Sequence, residues 1–176
     1  MSMSGGIYDI NADSVVRFEK LPRFLPLREG HIFDLGGRTV SVYETPGHTE
    51  GGLSFIDDRE RIIFTGDACN GNTLLGRIGG KGSAAVETLL KTAKKIKSLS
   101  SKYDRNYNGH IGYAGMISCL PQRDSITDDM IELCGKVMSG ELKGKLRESG
   151  FGSGGYVAQL GAAGMCYDPE KIYEDR

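Results

Sequence analysis

Apolar and polar positions along this chain change rhythm twice. From His31 the rhythm is short: "HIFDL", then Gly36-Gly37, then "RTVSVYE" reads as two strands joined by a glycine turn. "LSFID" and "RIIFTG" follow across the charged turn Asp58-Arg59-Glu60, so residues 31–66 are predicted to be strand-dominated. From Ser83 the period lengthens. Val86, Leu89, Leu90, Ala93, Ile96 and Leu99 share one face at helical spacing, with Ser83 placed as a cap. "RNYNGH" reads as a short strand entering a loop. A second helix is predicted over residues 127–138, opening on Asp128 and Asp129 near its positive end and stopping at Ser139-Gly140. The tail from Gly150 is glycine-rich and then offers "YVAQL" and "GMCYD" as short strands. Strands, helix, strand and helix in that order predict an α/β or α+β domain.

The 176 residues suffice for one domain with a real core. Residues 1–30 form a weakly patterned leader, 31–67 a strand-rich core, 83–140 the helical part and 141–176 a glycine-rich tail. A net charge of -1 gives no reason to expect nucleic acid or an acidic membrane as partner. The lysines of "KTAKKIKSLSSK" interleave with apolar residues and read as a solvated helix face. The opening "MSMSGGIYDINADS" carries no secretory signal pattern, and no apolar run reaches transmembrane length. Cys69, Cys119, Cys134 and Cys166 are scattered without a C-x-x-C pair. That pattern suits reduced thiols, and the expected location is the cytoplasm.

Candidate chemistry sits at strand ends. His48 follows "VYETPG", Asp67 follows "IIFTG" and His110 follows "YNG". Residues there are held by a sheet but project into loops, where sites are commonly built. Two imidazoles and a carboxylate suit zinc or iron. Gly47, Gly66 and Gly109 each precede one of them and allow a tight backbone turn. Singly, each has a plainer reading as a solvated loop histidine or a turn-forming aspartate.

"DLGGRTVSVYETPGHTEGGLSFIDDRERIIFTGDACN", with "YNGHIG" downstream, resembles the C-terminal half of a metallo-β-lactamase-fold hydrolase. The resemblance covers residues 25–120 with specificity and the tail loosely. It implies an αββα sandwich with a mixed sheet and flanking helices, of which this chain holds the C-terminal half. In the family a T-P-G-H-T turn supplies a metal histidine, a strand-terminal G-D an aspartate bridging two metals, and a later G-H a last histidine. These positions match His48, Asp67 and His110.

One departure is large. The family's first metal motif, H-x-H-x-D-H, belongs upstream of the T-P-G-H-T turn. The only histidine there is His31, which reads as a surface residue leading a hairpin. The chain thus supplies only part of a two-metal centre. It is a piece of a longer enzyme, is completed by another chain, or has lost its site.

The resemblance implies a parent hydrolase that cleaves a small ester, thioester, lactone or amide by metal-activated water, with zinc, iron or manganese. The isolated chain is then expected to be inactive and to bind metal weakly. The other reading is a non-catalytic binding or assembly module. The strands of this half offer apolar residues such as Phe33, Val40, Val42, Leu53, Phe55, Ile62 and Phe64, some of which would face the absent half, so a homodimer is expected. Cys69 reads as a buried inert thiol, and "GFGSGG" as a loop lacking the strand and helix that a dinucleotide site needs. Asn70 and Tyr113 follow ligand positions and are the candidates for contacting substrate.

Overall fold

Alternation builds a five-stranded sheet whose two faces differ sharply. The computed structural model describes residues 23–75, 84–110, 121–149 and 152–174. Strands β1 (Ile32–Asp34), β2 (Thr39–Glu44), β3 (Leu53–Asp57) and β4 (Ile62–Gly66) pair antiparallel in sequence order. Helix α1 (Val86–Ser98) and a short 3-10 turn, Ser100–Lys102, then carry the chain across, and β6 (Arg105–Asn108) pairs parallel to β4. The strands between are numbered in chain order, with β5 (Thr73–Leu74) lying outside this sheet.

Register sets two adjacent rows across the sheet, and side chains in neighbouring rows point to opposite faces. Ser41, Ile56, Ile63 and Asn106 form one row; Val42, Phe55, Phe64 and Tyr107 form the next. The first row faces the helices. Ile56 and Ile63 join a core with Leu89, Ala93 and Ile96 of α1 and with Met130, Leu133 and Val137 of α2 (Ile126–Ser139). In the second row Val42 is buried, but Phe64 is 46% exposed and stacks on Tyr107 with ring centroids 6.1 Å apart.

The tail does more than its sequence announces. Strands β8 (Tyr156–Leu160) and β9 (Ala163–Tyr167) form the expected pair, and β7 (Lys145–Leu146) and β5 extend it to the order β5-β9-β8-β7. Two-residue strands carry no readable period, so this second sheet was not legible. Ala158, Ala163, Met165 and Tyr167 share the core with both helices. Among the described residues the fold is therefore mixed α/β, with two mixed sheets and two α-helices.

Helix α1 starts three residues after the expected cap at Ser83, which lies outside the described residues. Ala85 occupies the N-cap, and its side chain cannot accept a hydrogen bond. The tail does this work instead: the Val86 and Glu87 amides donate to the carbonyls of Lys171 and Ile172 at 3.0 Å. The lysine run is solvated as expected, and the structure also pairs it, with Lys91 on Glu174, Lys97 on Asp128 and Lys95 on Glu29. Among the described residues no helix is long and apolar enough to cross a membrane.

Candidate metal centre

The parallel strands β4 and β6 end side by side and release their loops at the same edge of the sheet. Gly66 closes β4 with φ +53°, a left-handed turn that a side chain would strain, and Asp67 follows it. Gly109 follows β6 and donates from its amide to the Gly66 carbonyl at 3.0 Å. A Cβ on Gly109 would meet Asp67 Oδ1 at 3.3 Å and the Gly66 Cα at 3.4 Å, so a side chain there would press the two loops apart. The Asn108 carboxamide oxygen accepts from the His110 amide at 2.8 Å and turns that residue back toward Asp67.

His48 arrives from the β2–β3 loop. Its Nδ1 lies 2.7 Å from the Leu74 carbonyl of β5. A carbonyl can only accept, so Nδ1 donates to it and the ring is turned with Nε2 toward Asp67. Nε2 lies 3.6 Å from Asp67 Oδ2. On the other side His110 Nε2 lies 2.8 Å from Asp67 Oδ1. This second contact has ion-pair distance without hydrogen-bond direction, because Oδ1 is buried and satisfies no hydrogen bond. The carboxylate thus stands between two imidazoles and meets each with a different oxygen.

The donor types suit a divalent transition metal: two imidazoles, one oriented by a carbonyl behind it, and a carboxylate with a buried oxygen that makes no hydrogen bond. The donor count does not close. Among the described residues no set of three His, Cys, Asp or Glu side chains is arranged to hold one ion. As a candidate centre the arrangement would be two half-sites sharing Asp67, each with one histidine and one carboxylate oxygen. Structural zinc takes four protein ligands and catalytic zinc about three.

The other candidates fall elsewhere. His31 is exposed, and its Nδ1 accepts from the Arg28 amide at 2.8 Å as part of the lead into β1. Asn70 is 1% exposed, and its Oδ1 accepts from the Asn72 amide at 2.7 Å, which makes it a turn former under the loop. Tyr113 lies outside the described residues. Cys69 is fully buried, its Sγ faces the Ile126 carbonyl, and burial first, and then Cys134, push its thiol up to about 12. Sequence reasoning missed Gln122. Its Nε2 donates to the Cys69 carbonyl at 2.9 Å and to Asn106 Oδ1 at 3.1 Å. A lone glutamine in "LPQRD" carries no pattern that could have revealed it.

A sequence profile of the metallo-beta-lactamase superfamily matches residues 5–100. The chain belongs to that superfamily. Among its relatives, an atrochrysone carboxyl ACP thioesterase of Aspergillus fumigatus is 29% identical over 112 residues, covering 64% of this chain and 32% of the relative. The lactamase-like protein ptaB of Pestalotiopsis fici is 30% identical over 105 residues, covering 59% and 31%. The crystal structure of ETHE1 from Myxococcus xanthus is 25% identical and aligns with a TM-score of 0.42, covering 52% of this chain and 38% of that one. A metallo-beta-lactamase family protein of Thermus thermophilus aligns with a TM-score of 0.46 at 19% identity, covering 68% and 38%. This superfamily member spans about a third of the length of the curated relatives it matches.

Proposed function

We infer that this chain is the part of a metal-dependent acyl hydrolase that supplies His48, Asp67 and His110 to a two-metal centre. One observation carries the reading. The Nδ1 hydrogen bond to the Leu74 carbonyl holds the His48 ring from behind with Nε2 aimed at one oxygen of Asp67, while His110 Nε2 meets the other oxygen. When bound, zinc, iron or manganese would supply Lewis-acid activation of water and of an acyl carbonyl. The chain's own residues act as holders: His48 and His110 through their Nε2 atoms, and Asp67 through both oxygens. The loops that carry them are drawn together by the Gly109–Gly66 hydrogen bond.

Membership in the superfamily supports hydrolysis as the reaction class. Thioesterase-named relatives at about 30% identity favour a thioester among the candidate acyl substrates. The test is zinc uptake by equilibrium dialysis, on this chain and on the longer polypeptide that contains it. Weak uptake by the chain that Asp67→Asn abolishes, and tight uptake by the longer polypeptide with release of thiol from an acyl thioester, are the expected results. A longer polypeptide that takes up no zinc, iron or manganese sinks the reading.

A second reading has its own observation. Phe55, Phe64 and Tyr107 line a partly uncovered apolar row on the outer face of the five-stranded sheet. That row suits an assembly surface, with a second copy of the chain as its occupant. Sedimentation at micromolar concentration tests it: a stable, non-aggregating monomer overturns it.

A further inference from the structure

We propose that Gln122 is a positioning residue that sets the distance between Asp67 and His110 by clamping the two loops that carry them. The proposal rests on the metal-holding role of those two residues. A primary carboxamide nitrogen has only two hydrogens. Gln122 directs them to two different elements. One goes to the Cys69 carbonyl, two residues beyond Asp67; the other goes to Asn106 Oδ1 in β6, four residues before His110. The same nitrogen lies 3.4 Å from Thr65 Oγ1, two residues before Asp67. The segment bearing Asp67 is therefore met on both flanks.

Gln122 is itself fixed to the sheet. Its backbone amide donates to the Asn106 carbonyl at 2.7 Å, so the clamp is anchored on β6 before its side chain reaches across. The Thr65 hydroxyl donates to Asn106 Oδ1 at 2.9 Å and closes the triangle of Thr65, Asn106 and Gln122. Thr65 is fully buried and Asn106 is 7% exposed. The triangle thus lies in a low-dielectric setting, where satisfied bonds rigidify and unsatisfied ones are costly. The Gly109–Gly66 hydrogen bond joins the same two loops on the side nearer the histidine. Without the clamp, Asp67 keeps its chemistry and loses its place.

The discriminating variants are Gln122→Met, which keeps the bulk and removes both donors, and Gln122→Ala. Both are made in the full chain. The metal-free readout is amide exchange of Gly109, compared with β3–β4 ladder amides in the same sample. Gln122→Met is expected to speed Gly109 exchange about tenfold while the ladder amides keep their protection. The second readout is cobalt(II) titration followed by its visible absorption. Affinity is expected to fall about tenfold, as when a supporting partner behind a ligand is removed. Unchanged Gly109 protection in both variants overturns the proposal, as does loss of protection spread evenly over the ladder. If the unaltered chain shows no cobalt signal, the donors of this chain alone do not hold the ion, the metal reading is decided on the longer polypeptide, and Gly109 exchange decides whether Gln122 holds the loops together.

Discussion

The two faces of the five-stranded sheet are built from alternate residues of the same strands, yet they live in different solvents. Ile56 and Ile63 of the inner row are 3% and 0% exposed under the helices. Phe64, the cross-strand neighbour of Phe55 in the outer row, is 46% exposed. Aromatic side chains in water give up much of the free energy that burial would contribute. The contrast teaches that the inner face is finished by this chain, whereas the outer row runs from a buried Val42 to a half-exposed Phe64. The candidate metal centre repeats the contrast. Asp67 and its two histidines are oriented from behind by Leu74, Asn108 and Gly66, while their donor count stays short of a closed site.

The largest effect that would sharpen the comparison is Ile63→Ala. It removes a fully buried side chain at the centre of the core and is expected to cost about 2–5 kcal/mol in denaturant unfolding. Phe64→Ala, one residue away on the other face, is expected to cost about 1 kcal/mol or less in the unassociated chain. Equal losses would show that the outer row is also a finished core.

Next comes pH, acting on thiols buried behind the inner face. Burial raises the Cys69 thiol from 9.0 to about 12, and Cys134 from 9.0 to about 12. Above the unfolded value of 9.0 the unfolded chain releases these protons while the folded chain keeps them. Stability is therefore fully present below that pH and falls as pH climbs toward about 12. Urea midpoints measured at rising pH check this: the slope is expected to flatten in a variant with both thiols replaced by alanine. Native Cys69 and Cys134 are correspondingly expected to resist alkylation at neutral pH.

A charge on the outer face comes third. Phe64→Asp places a carboxylate where a second copy is proposed to dock, and is expected to convert a dimer to a monomer in sedimentation. A variant as associated as the original chain would move the interface elsewhere.

These contrasts were unequally legible in the sequence. The strands of the sheet were readable because period-two alternation in "TVSVYE" and "RIIFTG" is local. The helix over Ile126–Ser139 was readable because Asp128, Asp129 and Gly140 punctuate it. The second sheet was not, because β5 and β7 have two residues each and exist only through pairing with β8 and β9. The start of α1 was misplaced for a similar reason, since its cap comes from Lys171 and Ile172 far along the chain. At the site, His48, Asp67 and His110 stood out by motif. Their supports did not, because a carbonyl such as that of Leu74 and a side chain such as Gln122 act through tertiary position alone.

The smallest effect is expected where the chemistry is most suggestive. His48→Ala removes one hydrogen bond, from Nδ1 to the Leu74 carbonyl, on a side chain that is 35% exposed. A bond of that kind contributes about 0.5–1.5 kcal/mol net, and water can replace it at a partly exposed carbonyl. A strongly held metal would add more, because an ion bound only by the folded state stabilises it by RT ln(1 + [L]/Kd). With one histidine and one carboxylate oxygen per half-site, little such linkage exists to lose. The melting temperature of His48→Ala is therefore expected to lie close to that of the original chain, with or without zinc. A large drop that appears only when zinc is present would mean that the half-sites close within this chain, and that the exposure of Phe64 and the unfinished site have separate causes.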